Sequence, residues 1–264
     1  MVTKLKNIQD KFSLEGKTAV VTGGSRLLGA AIVRAFLESG AAVWVTSSRR
    51  QNRAEELFPE FAGRVFDGYF DMTAADAREQ LIALRERILH RFGKVDILVN
   101  NATVRAPAGS PDSVLRDCIA DNEMAVLYAT EVFAEAMCSK GSGSIINIGS
   151  NLGNHGPDAE IYKGTKIQGY LPDYSLQKGA VANFTRFTAS RYGPYGVRCN
   201  CISPAGVETE NTPADFAENY RKRIPMGRMA SAEDVAGIGV FLASEASAFI
   251  TGADVPLDGG YSVY

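Results

Sequence analysis

The sequence predicts an α/β protein, a doubly wound parallel sheet of about seven strands in a single domain over residues 1–264. Three observations predict it. Short β-branched runs alternate with helical patterns from end to end, as they do when crossover helices join parallel strands. The first such run leads into a glycine-rich turn, Thr22-Gly-Gly-Ser-Arg-Leu-Leu-Gly29, that opens a helical pattern. No repeat, low-complexity tract or linker divides the chain.

The elements follow in order. Thr18-Ala-Val-Val-Thr22 is a strand by composition, and Ala31, Ile32, Ala35 and Phe36 mark one face of a helix over 28–39. Gly40 ends that helix, and a second strand is expected at 42–46. Beyond it the pattern gives strands at 65–69, 96–99, 144–148, 197–202 and 253–257. Helices are expected at 51–57, 74–92, 112–139, 173–192, 213–222 and 231–243. Ligands of such sheets bind at the carboxyl ends of the strands, where Gly23, Ser47, Asp71, Asn100, Ser150 and Pro204 fall.

Composition removes several function classes. With 45% hydrophobic and 22% charged residues and a formal net charge of -2, the chain has the balance of a globular protein and no basic block for nucleic acid. No apolar stretch reaches bilayer length, and the first residues lack a secretory pattern, so a cytoplasmic protein without membrane contact is expected. Cys118, Cys138, Cys199 and Cys201 suggest buried thiols rather than a disulfide scaffold. His90 and His155 stand too far from other ligand types to complete a zinc set, so no metal is expected.

Two motifs carry chemistry. A strand, glycine turn, helix and second strand put backbone N–H groups and a helix N-terminus under a dinucleotide pyrophosphate; glycines that merely tighten the chain are the alternative. About 150 residues later, Tyr174-Ser-Leu-Gln-Lys178 opens the helical run through Phe187. Four-residue spacing stacks the two side chains on one helix face. A phenol with a reference pKa of about 10 is a poor acid or base near neutrality, and a neighbouring ammonium makes it usable by favouring the phenolate.

Further segments extend the pattern: Phe12-Ser-Leu-Glu-Gly-Lys-Thr-Ala-Val-Val-Thr-Gly23, Asp96-Ile-Leu-Val-Asn-Asn-Ala102, Gly143-Ser-Ile-Ile-Asn-Ile-Gly-Ser150, Gly196-Val-Arg-Cys-Asn-Cys-Ile-Ser-Pro204 and Thr251-Gly-Ala-Asp-Val-Pro-Leu-Asp-Gly-Gly260. In this order they resemble the short-chain dehydrogenase/reductase family, of Rossmann-like fold, over nearly the whole chain. The resemblance implies a hydride-transfer enzyme with a small-molecule substrate. It makes Tyr174 the proton-transfer group, with Lys178 tuning it and binding the nicotinamide ribose. Ser150 then orients the carbonyl or alcohol, and Asn122 holds a water of the proton relay.

The same resemblance implies cofactor contacts from Gly23, Ser25, Arg26, Leu28 and Gly29 around the phosphates. It puts Asp71 and Met72 at the adenine, Asn100 to Ala102 along the adenosine ribose, and Pro204, Val207 and Thr209 at the nicotinamide. Members that use NAD usually carry an acid at the end of the second strand, where this chain has Ser47, Ser48 and Arg49. A small residue there leaves room for a 2′-phosphate that Arg26 and Arg49 can pair with, so NADP is favoured, with NAD possible. Arg49 as the start of a solvated helix face is the alternative. Two positions depart from the family pattern: Leu27 replaces a loop glycine, and Thr103 replaces the glycine after Ala102.

Twenty-three residues separate Ser150 from Tyr174, about twice the family's usual spacing, so 157–172 reads as an insertion on the substrate side or a surface loop. It holds a rival pair, Tyr162 and Lys166, set aside because Gly164, Gly169 and Pro172 disfavour a helix there. Gly156-Pro-Asp158 and Tyr162-Lys-Gly-Thr165 resemble, more loosely, a subgroup linked to sugar modification. His155, Lys163, Lys166 and Gln168 suit a hydroxylated or anionic compound. A sugar-like or polyol-like substrate is therefore expected; the alternatives are 3-oxoacyl thioester reduction and a non-catalytic ligand sensor. Family members usually form tetramers through the helices at 112–139 and 173–192.

Overall fold

The computed structural model describes residues 7–49, 53–107, 109–167 and 171–263. Seven strands form one parallel sheet: β1 (Thr18–Thr22), β2 (Ala42–Ser47), β3 (Val65–Tyr69), β4 (Ile97–Asn100), β5 (Gly143–Ile148), β6 (Val197–Pro204) and β7 (Asp254–Leu257). Their order across the sheet is β3-β2-β1-β4-β5-β6-β7, every pair parallel. The direction of winding reverses between β1 and β4, which opens a crevice at their carboxyl ends.

The helices are α1 (Leu27–Glu38), α2 (Ala54–Leu57), α3 (Ala77–Phe92), α4 (Asp112–Lys140), α5 (Ala159–Tyr162), α6 (Pro172–Tyr192), α7 (Ala214–Arg223) and α8 (Asp234–Ala243). One apolar layer joins α1 and α8 to the sheet through Ile32, Phe36, Val235 and Leu242. The other joins α3 and α4 to it through Leu81, Ile88, Phe133 and Met137. Strands buried on both faces explain the continuous apolar runs: β1 and β4 are buried at every residue. Cys199 and Cys201, on one face of β6, are buried free thiols, and burial raises both, Cys201 to about 12. Among the described residues no helix is long and apolar enough to cross a membrane.

The element order holds as expected, with shifted ends. α3 begins three residues later than its pattern, because Asp71 accepts bonds from the Thr73 amide (3.1 Å) and hydroxyl (2.8 Å) and holds a turn there. The first two residues expected in the 51–57 helix lie outside the described residues. Residues 159–162 form a single helical turn that ends at Tyr162, before the glycines and proline expected to disfavour a helix across Tyr162 and Lys166. Asp158 caps it by accepting the Glu160 amide at 3.0 Å, and Ile161 is driven into a satellite core with Phe216, Ala217 and Tyr220 of α7. Gly164, at φ 75°, follows at once, so Tyr162 and Lys166 share no helix.

At the opposite end of the sheet, Asp96 ties β1, β4 and α4 together. Its buried carboxylate accepts the Thr18 amide at 2.8 Å and pairs with Lys140 and, at 3.5 Å, with Lys94. Burial opposes its charge, but these partners prevail and hold the carboxyl below its ordinary range. Asp96→Asn should therefore lower stability at pH 7 by about 1–3 kcal/mol in urea unfolding. Because a depressed carboxyl stabilises above its unfolded pKa and loses that effect as pH falls through its folded one, the deficit should shrink below about pH 4. A deficit unchanged between pH 7 and pH 3 would contradict this.

Candidate active site

The crevice begins where β1 ends. Gly23, at φ 63°, turns the chain out of the sheet, and its amide donates to the Thr46 carbonyl at 3.1 Å. A Cβ on Gly29 would lie 2.4 Å from the Gly23 carbonyl oxygen and 2.7 Å from Asn101 Nδ2, so only glycine lets α1 press against the turn. The turn is pinned from β4: Asn101 Nδ2 donates to the carbonyls of Thr22 (2.8 Å) and Gly23 (3.1 Å), and Thr22 Oγ1 accepts the Asn101 and Ala102 amides.

Arg26 caps α1 without a side-chain bond, and no acidic residue lies in the first turn of that helix. The first amides of α1 are thus directed at the crevice with a favourable dipole and no competing carboxylate, a cradle for an anion. Ser25 is half-buried in it, and Arg26 is exposed at its rim. Leu27 enters α1 at φ 48°, the sole positive φ among the described non-glycine residues, with its side chain 57% exposed. Leucine holds this left-handed backbone against the usual steric preference of a Cβ.

At the end of β2, Ser47 Oγ accepts the Arg49 amide at 3.0 Å, and no acidic group stands there. Ser48 and Arg49 are exposed beside it. Asp71 is held by Thr73 and by Gln80, which accepts the Asp71 amide at 2.8 Å, while Met72 packs on the α3–α4 layer. The Asn100 side chain is buried against α4, donating to Thr130 (3.0 Å) and Asn147 (2.8 Å), which leaves its backbone and the Asn101–Ala102 turn toward the crevice. Beyond β6, the Gly206 amide donates to the Tyr220 hydroxyl at 2.6 Å, and Val207 bridges Ala230. Thr209 closes the loop by donating its amide to Thr212 Oγ1 at 2.9 Å. Pro204 is the last residue of β6.

Tyr174 and Lys178 lie in the first two turns of α6, which Pro172 starts. The Lys178 ammonium is 5.6 Å from the centroid of the Tyr174 ring and donates to the Ile148 carbonyl at 2.7 Å. Burial holds the lysine below its ordinary range, partly offset by the tyrosine. Ser150 caps the short turn after β5, accepting the Leu152 amide at 3.2 Å. A Cβ on Gly153 in that turn would lie 2.6 Å from the Lys178 backbone, so the serine turn abuts α6 directly.

Asn122 is buried on α4 with its side chain fully engaged. Its Oδ1 accepts the Thr103 hydroxyl (2.9 Å) and the Val104 amide (3.1 Å), and its Nδ2 donates to the carbonyls of Val104 (3.0 Å) and Cys118 (2.7 Å). Thr103, a departure from the family pattern, therefore makes a contact that glycine cannot. Arg105, which no motif singles out, lies with its guanidinium carbon 4.4 Å from the Tyr174 centroid.

Residues 158–163, in the described part of the 157–172 segment, are fastened to α7. Arg223 pairs with Asp158 at 2.5 Å, Asn219 Nδ2 donates to the Lys163 carbonyl at 3.0 Å, and Tyr162 packs on Phe216 with centroids 5.6 Å apart. Lys163 is exposed and paired with Glu160 at 3.2 Å. Lys166 and His155 are exposed. Gln168 lies outside the described residues. Burial raises the Tyr162 phenol above its ordinary range, with no cation among the causes. The arrangement as a whole can hold a polyanion at α1 and move a proton at Tyr174.

A family model of short-chain dehydrogenases, described as Enoyl-(Acyl carrier protein) reductase, matches residues 24–262. The chain is 34% identical to a protein of Yarrowia lipolytica named "Probable NADP-dependent mannitol dehydrogenase", over 97% of this chain and 91% of that one. It is 32% identical to galactitol 2-dehydrogenase (L-tagatose-forming) of Cereibacter sphaeroides, over 96% and 98%. Among solved structures, gluconate 5-dehydrogenase from Burkholderia cenocepacia J2315, in complex with NADP and tartrate, superposes with a TM-score of 0.83 at 29% identity, over 98% of this chain and 100% of that one.

The positive φ of Leu27 makes a direct prediction. Leu27→Gly removes a Cβ from a left-handed position, where it opposes folding by about 1–2 kcal/mol, partly offset by the greater freedom of glycine in the unfolded chain. Urea unfolding of that variant should show stability equal to or above the parent's. A loss of more than about 1 kcal/mol, the scale of glycine's own helix penalty, would show that the isobutyl group makes a stabilising contact instead.

Proposed function

The chain belongs to the short-chain dehydrogenase/reductase family, and on that premise we propose a specific reaction for this oxidoreductase. It moves hydride between NADP and the carbonyl or secondary alcohol of a sugar-like or polyol-like molecule. The observation that carries this reading is the buried Lys178 ammonium beside the Tyr174 ring. A phenol next to a fixed cation is a proton donor and acceptor suited to an alcohol–carbonyl pair. Bound NADP supplies the hydride acceptor in oxidation and the donor in reduction.

The chain's residues do the rest. Tyr174 takes the alcohol proton as the carbinol is oxidised and returns it in reduction. Lys178 stabilises the phenolate that accepts this proton and would hold the nicotinamide ribose. Ser150, in its cap turn against α6, orients the substrate oxygen. Asn122 holds the Thr103–Val104 turn with its side chain, and its proposed relay water would bind through its backbone.

For the cofactor, the cradle of Gly23, Ser25, Arg26, Leu28 and Gly29 would take the diphosphate, since the first turn of α1 carries no acidic residue and no side-chain cap. Ser47, Ser48 and Arg49 would take the 2′-phosphate, Asp71 and Met72 the adenine, and the Asn100 backbone with Ala102 the adenosine ribose. Pro204, Val207 and Thr209 would line the nicotinamide. NADP is preferred over NAD because β2 ends without the acid that pairs a 2′-hydroxyl. The names of the polyol and gluconate enzymes that resemble this chain support the substrate class. The 157–172 segment, joined to α7, would cover the substrate.

The same reading extends to assembly and place. A tetramer packed through α4 and α6 would bury Phe187, which is 56% exposed and stacks on Phe184 at 5.9 Å. Four free cysteines suit the reducing cytoplasm.

A panel of mannitol, galactitol, threitol and gluconate with NADP, beside a 3-oxoacyl thioester with NADPH, tests the reading. Polyol or sugar-acid turnover is expected to exceed thioester turnover, and the reverse result would move the substrate class. Tyr174→Phe should reduce turnover by at least about 100-fold, the usual scale for a lost acid–base group. NADPH affinity by fluorescence should change little in that variant, and Tyr162→Phe should remain active. Activity that survives at Tyr174→Phe but not at Tyr162→Phe would assign the chemistry to the wrong helix here. Arg49→Ser should weaken NADPH more than NADH. Equal weakening would remove the 2′-phosphate role from this arginine.

A further inference from the structure

Tyr174 is faced by two cations, and the family motif accounts for one. Lys178 approaches from its own helix at 5.6 Å, and Arg105 comes from the loop between β4 and α4 at 4.4 Å from the ring centroid. Arg105 is exposed, yet the turn that delivers it is not loose. The Asn122 side-chain amide grips the two preceding residues through three hydrogen bonds, to the Thr103 hydroxyl, the Val104 amide and the Val104 carbonyl. The threonine that replaces the family's glycine adds one of those bonds. The buried face of α4 thus sets where residue 105 begins.

We infer that Arg105 is a positioning residue for Tyr174, a second and permanent cation laid on the ring of the proton-transfer group. Two features of the pair make the second cation useful. Lys178 is buried, and both its burial and the nearby Arg105 charge disfavour its protonated form, so its ammonium is the weaker source of charge as pH rises. A guanidinium stays protonated throughout the range in which enzymes work and stacks on aromatic faces. Cys201, which faces Lys178 from β6, is pushed up to about 12 and stays neutral near pH 7. Asp173, adjacent in the chain, is the acidic residue of the first turn of α6. Among the described residues, Lys178 and Arg105 are the cations whose contacts reach the Tyr174 ring.

The inference rests on Tyr174 being the proton-transfer group, and its test reads no turnover, so the two can fail separately. The measurement is the phenolate absorbance that Tyr174 alone contributes. It is obtained by subtracting the ultraviolet pH titration of Tyr174→Phe from that of the parent. The same subtraction is made in the Arg105→Gln and Arg105→Lys backgrounds. A cation favours phenolate, so its loss should move the midpoint up by more than the scatter between replicate titrations. Arg105→Lys should restore most of the shift, because charge rather than shape is at work. A midpoint that does not move in Arg105→Gln would overturn the inference and leave this arginine to substrate binding. A shift that Arg105→Lys fails to reverse would also overturn it, since stacking shape would then be the cause.

Discussion

The Lys178 ammonium sits almost wholly out of water, and its placement organises the rest of the site. A buried charge opposes folding unless polar groups meet it. Here the Ile148 carbonyl at the end of β5 accepts from it at 2.7 Å and the Tyr174 ring lies beside it. That single bond couples α6 to the sheet where the crevice opens. It also fixes which face of α6 meets the strand end, and Tyr174 stands one turn before the lysine on that face. The neighbouring serine turn can approach only because Gly153 offers no Cβ to the Lys178 backbone. The strand end, the glycine and the helix are therefore consequences of one requirement.

A second constraint lies across the crevice. The glycine turn, the β4 turn and α1 contact one another so closely that Gly29 and Asn101 leave no slack. Leu27 enters α1 at φ 48° with its side chain largely exposed. At Thr103 the second departure adds a hydrogen bond to Asn122. The two departures thus act by different physical routes, one on the backbone and one through a side chain.

Much of this was legible in the sequence because it is local. Strand composition, helical spacing and the glycine turn follow from a few neighbouring residues, and Tyr174 with Lys178 from one helical turn. What escaped depends on contacts between distant segments. Asn101 clamps residues that precede it by 78 and 79 positions, and Arg105 meets a ring 69 residues later, though no periodicity announces either. The burial of the Asn100 side chain under α4, where it meets Thr130 thirty residues later, is likewise set by a distant contact. The one-turn helix at 159–162 is too short to show a period of its own, and burial of Ile161 against α7 holds it.

The most direct test of the account is a crystal structure of the protein grown with NADP. It should place the nicotinamide ring beside the Tyr174 hydroxyl, with its ribose hydroxyls on the Lys178 ammonium and the diphosphate over the first turn of α1. A cofactor seated elsewhere, or a nicotinamide beyond reach of that hydroxyl, would contradict it.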